Sequence, residues 1–229
     1  MKRSEINQSI VDAKTLLSQI GFALPQFAYW SDDEWVDHAD EIDTICKTML
    51  GWDITDFGTG DFEHIGAVLF TLRNGEQKEG GKGTPYAEKI IYLKEGQRLP
   101  LHFHFTKTED IINRGGGRMV IKLYNAKPNN AVDYETDVVV FMDGIAKKVH
   151  AGEELIIEKG NSITLTPRMY HLFGAVQGAG DLVAGEVSSV NDDNTDNYFA
   201  EQVSRFVAIH EDEKPIHPLC NEYAAALKK

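Results

Sequence analysis

The stretch His102-Phe103-His104-Phe105-Thr106-Lys107-Thr108-Glu109 decides how this chain is read. Two histidines one residue apart point to the same side of a β-strand, because side chains alternate faces with period two. Five residues after His104, Glu109 can bring a carboxylate back to the same point. Imidazole nitrogens plus one hard oxygen suit a divalent transition metal rather than calcium or magnesium. Gly96 lies six residues before His102, and Gly116 seven after Glu109. Further on, Gly160, Pro167 and His171 follow another strand-like run. The spacing reads G-x5-H-x-H-x4-E-x6-G and then G-x6-P-x3-H. A strand with two incidental histidines would leave both the glycine spacing and His171 unexplained.

The same parity has a second consequence. If His102 and His104 face inward, Leu101, Phe103 and Phe105 face outward. Leaving those three in water would forgo roughly 1.5–3 kcal/mol each. The expected cover is either the N-terminal helices or a second subunit, and a homodimer is expected on this ground.

Outward from this strand, the chain divides into three expected parts: a helical arm over 1–60, a β-barrel over 61–190 and an extension over 191–229. Ile6, Ile10, Ala13, Leu17 and Ile20 repeat at helical spacing, with Ser4 as the expected cap and Gly21 as the stop. Ser31-Asp32-Asp33-Glu34 has the form of a capping box. Trp35, Ala39, Ile42, Cys46 and Met49 then predict one further helix ending at Gly51. Turn residues dominate from Asp53 to Gly66, and Gly75 to Pro85 reads as an exposed loop. Strands are predicted over 67–72, 89–93, 99–105, 110–113, 119–124, 138–142, 154–157, 162–166, 170–173 and 182–187. Gly115-Gly116-Gly117 makes one turn, and Asp143-Gly144 is a strong hairpin signal. Glu222 to Leu227 is expected to form a terminal helical turn. Many short strands with glycine turns indicate a mainly β, closed antiparallel architecture.

Composition narrows the function. A hydrophobic content of 42% in 229 residues supplies a packed core. The net charge of -13 disfavours nucleic acid and anionic membranes, which recruit basic faces, but not a neutral sugar. After Met1-Lys2-Arg3 no apolar run follows, and no stretch has the length of a membrane helix, so a cytoplasmic protein is expected. Cys46 and Cys220 have no metal or redox spacing and are expected as free thiols.

Four residues form the candidate metal shell: His102, His104, Glu109 and His171. Three nitrogens and one oxygen leave open positions for water or a bidentate substrate, and Mn, Fe, Co, Ni and Zn all accept such a set. His38, His64, His150, His210 and His217 read as surface or packing histidines. Glu186 shares a face with Leu182 and Ala184. A carboxylate among apolar neighbours is paired, ligating or catalytic, since an unpaired buried charge is very costly. Burial would raise its pKa toward that of a general base. The bland alternative is an ion pair with Arg205 or Arg168. Lys94, on the face of Tyr92, either neutralises an oxyanion or is an ordinary turn lysine. The polar run Ser188 to Asn197 reads as a loop that could rim a pocket.

The two-part spacing resembles the metal signature of the cupins, whose fold is a jelly-roll, or double-stranded β-helix, barrel. The segments Lys94-Glu95-Gly96-Gln97-Arg98-Leu99-Pro100-Leu101-His102-Phe103-His104 and Gly185-Glu186-Val187-Ser188-Ser189-Val190-Asn191-Asp192-Asp193 are similar to those of the D-lyxose isomerases in that superfamily. Met169 departs from the broad pattern, which often has glycine there. The resemblance implies a metal-dependent sugar isomerase, usually with Mn2+, converting D-lyxose to D-xylulose and often D-mannose to D-fructose. It implies a cis-enediol intermediate, with a carboxylate moving a proton between C1 and C2. Glu186 is the expected proton carrier and Glu109 the alternative, with Lys94 lending charge to the oxyanion. Two other classes use the same barrel: an Fe-dependent cupin dioxygenase and a non-catalytic sugar-binding cupin.

Overall fold

The computed structural model describes residues 1–192, 195–204 and 207–227. Four α-helices are present among them: α1 (Arg3–Gln19), α2 (Asp32–Asp37), α3 (Asp43–Lys47) and α4 (Tyr223–Ala226). The strands are β1 (Gly51–Thr55), β2 (Ala67–Gly75), β3 (Gly83–Leu93), β4 (His102–His104), β5 (Glu109–Gly116), β6 (Met119–Ala126) and β7 (Val132–Asp133). They continue with β8 (Val138–Met142), β9 (Ile145–Val149), β10 (Glu154–Ile157), β11 (Ser162–Leu165), β12 (Met169–Ala175), β13 (Leu182–Ser189) and β14 (Asn197–Phe199).

Two antiparallel sheets face each other, in line with the mainly β, closed architecture expected. The larger runs β1-β2-β3-β13-β5-β11-β8-β9 and the smaller β10-β6-β12-β4-β14. Strand periodicity sends Ile91, Leu93, Ile111, Ile163, Leu182 and Ala184 of the larger sheet inward. There they meet Ile121, Leu123 and Phe173 of the smaller one. This double layer is the barrel core.

The outer face of the larger sheet has its own cover. Ile6, Ile10, Ala13 and Leu17 of α1 pack on Trp52, Ile54, Val68, Phe70, Ile90, Tyr92 and Val183. Each buried aliphatic side chain there contributes about 1.5–3 kcal/mol. Ser4 is not the cap of α1: Lys2 holds that position. Ser4 lies inside the helix, where its backbone N–H and hydroxyl both donate to Asp212.

The structure departs from the sequence reading in the arm. The capping box at Ser31 forms. The helix that it starts stops at Asp37, however, and α3 is a separate turn of chain. The apolar stripe is real, since Trp35 and Ile42 join one cluster with Cys220 and Tyr223. Met49 then takes φ 52° and Gly51 φ 107°, which turns the chain into β1. The arm therefore lends a strand to the larger sheet, where turn residues alone had been expected after Asp53. The extension likewise lends β14 to the smaller one.

Part of the β4 face is covered by β12 and β14 of the chain itself rather than by the N-terminal helices. Phe103 is fully buried, with Tyr170 edge-on at 4.8 Å and Tyr198 of β14 stacked at 5.1 Å. The Arg168 guanidinium lies 5.3 Å from the centre of the same ring. Leu101 stays half-buried, and Phe105 is 38% exposed.

The predicted turns form where expected. Asp143 and Gly144 both have positive φ, at 49° and 79°, which suits a two-residue hairpin. Gly116 has φ 81°, and any Cβ there would collide with the Asp181 carbonyl oxygen. Cys46 and Cys220 are not joined in a disulfide. Among the described residues, no helix is long and apolar enough to cross a membrane.

Candidate metal and active site

The inner faces of the two sheets each contribute one half of the site. From the smaller sheet come His102 and His104 on β4 and His171 on β12. His171 lies directly opposite His102 in the ladder, with ring centroids 4.2 Å apart. From the larger sheet come Glu109 at the start of β5 and Glu186 on β13. All five side chains are buried.

The three histidines can each place a ring nitrogen within 4.8 Å of the others. Oε1 of Glu109 sits 3.2 Å from Nε2 of both His104 and His171. Nδ1–H of His102 donates to the Pro100 carbonyl at 2.8 Å, and Nδ1–H of His171 to the Met169 carbonyl at 3.0 Å. Each of these bonds fixes the tautomer, leaving the Nε2 lone pair aimed at the common point. Nε2 of His104 and of His171 is buried without a hydrogen-bond partner. Buried polar atoms ordinarily find partners. Convergent orphaned imidazole nitrogens beside a carboxylate therefore have the chemistry of a transition-metal shell, and a divalent metal fits these residues.

Electrostatics point the same way. Burial pushes the His102 imidazole well below its usual pKa, with His171 and His104 adding to the effect. Burial lowers His104 too. Both rings are thereby kept neutral, as metal ligands must be. Burial alone would raise Glu109, but the Lys107 ammonium and His104 outweigh it and hold the carboxyl well below the usual range.

Lys107 is the residue that sequence reading passed over. Its ammonium is sealed between two carboxylates, 2.7 Å from Glu109 Oε2 and 2.9 Å from Glu186 Oε1. It also donates to Oδ1 of Asn191 at 3.2 Å. Lys89 on β3 sits opposite Glu186 in the ladder, with its ammonium 3.7 Å away. A signal existed for both. Lys107 stands within the His104–Glu109 spacer, and Lys89 has the inward parity of Ile91 and Leu93.

That parity also displaces Lys94. It points outward with Tyr92, half-buried, its ammonium 5.9 Å from the Phe62 ring centre. The structure does not bring it to the histidines, and the ammoniums near the site are those of Lys107 and Lys89. The expected direction for Glu186 also changes. Burial raises its pKa, but Lys107 and Lys89 outweigh burial and the net shift is downward. Its ion-pair partners are these lysines. Arg168 instead binds Asn130 and the Lys127 carbonyl, and Arg205 lies outside the described residues.

Met169, where glycine is common, does not disturb the turn. The left-handed residue is Arg168, with φ 64°, and Met169 begins β12 as a core residue. Asp196 anchors the polar run that follows Glu186. It accepts from the backbone of Thr106 and Lys107 and from the Thr106 hydroxyl. Asp193 and Asn194 lie outside the described residues. The remaining histidines have other work. His38 stacks on Trp30, His64 and His150 pair with Asp61 and Asp137, and His217 donates to the Trp30 carbonyl. The His210 carbonyl accepts from Arg3 N–H.

The cavity between these groups is further lined by Thr55, Phe57, Leu69, Ile91, Phe173 and Phe199. Charged and apolar walls thus meet in one cavity.

Comparison with known proteins shows what the chain is similar to. A family model described as D-lyxose isomerase matches residues 1–223. A D-lyxose/D-mannose isomerase of Escherichia coli O157:H7 is 43% identical over 228 residues, covering 97% of this chain and 98% of that protein. One from Serratia proteamaculans is 43% identical over 230 residues, with the same coverage. Among solved structures, an Acinetobacter sp. DL28 L-ribose isomerase in complex with L-ribose superposes with a TM-score of 0.60 at 13% identity. The match covers 92% of this chain and 98% of that one. An L-ribose isomerase of Cellulomonas parahominis gives 0.55 at 16% identity with the same coverage, a likeness of fold. This chain belongs to the D-lyxose isomerase family.

Proposed function

We propose that this protein is a metal-dependent aldose–ketose isomerase acting on D-lyxose and D-xylulose, and on D-mannose and D-fructose. The observation that carries the reading is the pairing of two unlike halves in one cavity. Convergent imidazoles that suit a divalent metal face a buried, ionised carboxylate that is not among them. Relatives named D-lyxose/D-mannose isomerase supply the substrates.

An aldose and its ketose differ by one proton moved between C1 and C2 and one moved between their oxygens. His102, His104, Glu109 and His171 would hold the metal, which we take to be Mn2+. When bound, it polarises the oxygens on the reacting carbons. Glu186 takes the proton from one carbon and returns it to the other, through a cis-enediol stage. Its lowered pKa keeps it ionised and ready to accept at neutral pH. Lys107 fixes the Glu186 carboxylate by a hydrogen bond and offers positive charge to developing oxyanions, with Lys89 on the other side. Two carboxylates and two ammoniums leave the charged wall of the cavity near neutrality.

The chain's parts take these roles in the reading: 1–60 as an arm, 61–190 as the metal-binding barrel and 191–229 as a cover. A reducing, cytoplasmic setting is proposed for a chain whose two cysteines are not bridged. A homodimer is proposed over the groove beside β4, where Pro100, Leu101, Tyr134, Leu172 and Tyr198 line open surface.

The test is incubation of the Mn2+-loaded protein with D-lyxose or D-mannose under nitrogen. Ketose formation supports the isomerase. Turnover that needs oxygen would show a dioxygenase, and metal retention without turnover a sugar-binding protein.

A further inference from the structure

Phe199 lines the cavity beside His102 in a way that the chemistry above does not use. It lies on β14, directly opposite His102 in the ladder. Its ring stacks on the His102 imidazole, with centroids 5.1 Å apart and planes 27° apart. The Phe57 ring is 5.9 Å away from it. The strand is tied at both ends. Before it, the Asp196 carboxylate accepts from Thr106 and Lys107. After it, Ala200 N–H donates to the Leu101 carbonyl, and Ser204 N–H to the Phe57 carbonyl. The cavity left beneath measures about 60 Å3. Such a volume holds a few waters, whereas pockets for small molecules span roughly 300–1,000 Å3.

As it stands, with Phe199 among its walls, the cavity is small for a monosaccharide. We infer that Phe199 is a gating and positioning residue: its ring leaves His102 to admit the sugar and then packs on the sugar's C–H face. The inference rests on the isomerase reading for its ligand. The geometry itself does not depend on that reading. The ring is half-buried, so it can rotate outward without opening the core. A flat apolar ring over the polyol also suits the general pattern of ligand cavities, where aromatic walls give area and a few polar groups give orientation.

Two measurements test this, one of which needs no sugar. The first is the rate at which EDTA strips Mn2+ from the loaded protein. Phe199→Ala should release metal about tenfold faster than wild type, because the ring beside His102 is gone, while Phe199→Tyr should stay near wild type. The second is steady-state isomerisation of D-lyxose. Phe199→Ala should raise KM about fivefold to tenfold with kcat changed far less, and Phe199→Tyr should restore KM. A purely structural role would lower metal content and kcat together, with no such split. If wild type does not isomerise, the functional reading falls, and the EDTA experiment still decides the gate. Equal release rates in wild type and Phe199→Ala would overturn the gate. An unchanged KM in an active Phe199→Ala enzyme would overturn the positioning role.

Discussion

The Lys107 ammonium donates to Glu186 Oε1 at 2.9 Å, and both side chains are sealed from solvent. The same ammonium reaches Glu109 at 2.7 Å. One cation thus links the carboxylate of the metal cluster to the carboxylate proposed to move the proton.

Lys107→Met should expose that dependence. Removing one partner of a buried ion pair costs about 3–5 kcal/mol, because the remaining charges are left uncompensated. The metal-free variant should melt well below metal-free wild type, and Mn2+ should recover part of the loss by neutralising Glu109. Calorimetry of both proteins with and without Mn2+ makes the comparison. Equal melting temperatures without metal would mean that Lys107 does not offset the two carboxylates.

His171→Ala, like His102→Ala or His104→Ala, should strip most of the metal and most of the activity. The motivation is the orphaned Nε2 of His171 pointing at Glu109 Oε1. Elemental analysis is the readout. Full occupancy in the His171→Ala protein would remove that residue from the shell.

Stability should fall on acidification, in part through His217. This ring is buried beside Lys14, with Nζ 3.0 Å from Nε2, and burial lowers its pKa. A histidine with a depressed folded-state pKa binds its proton more readily when unfolded. Its contribution is therefore present above its ordinary value of about 6.5 and lost as pH falls below that value. His217→Gln should flatten the decline in melting temperature between about pH 7 and pH 5. An unchanged slope would place the acid sensitivity elsewhere.

Light scattering should give about twice the 25.6 kDa chain mass at micromolar concentration. The open apolar surface at Leu101, Tyr134 and Leu172 motivates this. A monomer would show that the extension alone is sufficient cover.

The sequence was legible where one residue type at one spacing does one job. The paired histidines of β4, Gly96, Gly116 and the Asp143-Gly144 turn all impose local geometry, and the structure has it. Parity also identified the inward face of β13 from Leu182, Ala184 and Glu186. It was less legible where partners come from afar. Lys107 is read as an ordinary spacer residue until β13 brings Glu186 beside it, 79 positions away. The downward shift of Glu186 follows from the same long-range contact. β1 was hidden because Gly51 and Asp53 are turn formers by composition, whereas their strand is made by pairing with β2. Tyr198 and Phe199 of β14 sit in a polar stretch, and only the fold shows that they cover Phe103 and His102.

The most direct test concerns the hydrogen on C2 of D-lyxose. In D2O, the Mn2+-loaded wild type should exchange it with solvent while forming ketose, because Glu186 carries it as a proton. Glu186→Gln keeps the shape of the side chain and removes the proton acceptor. Exchange and turnover should fall together by about 10²–10⁴-fold, the usual worth of general base catalysis, with metal content unchanged. Glu109→Gln should instead lower metal occupancy first. A Glu186→Gln enzyme that retains more than about a tenth of wild-type exchange and turnover would contradict the assignment of the base to Glu186.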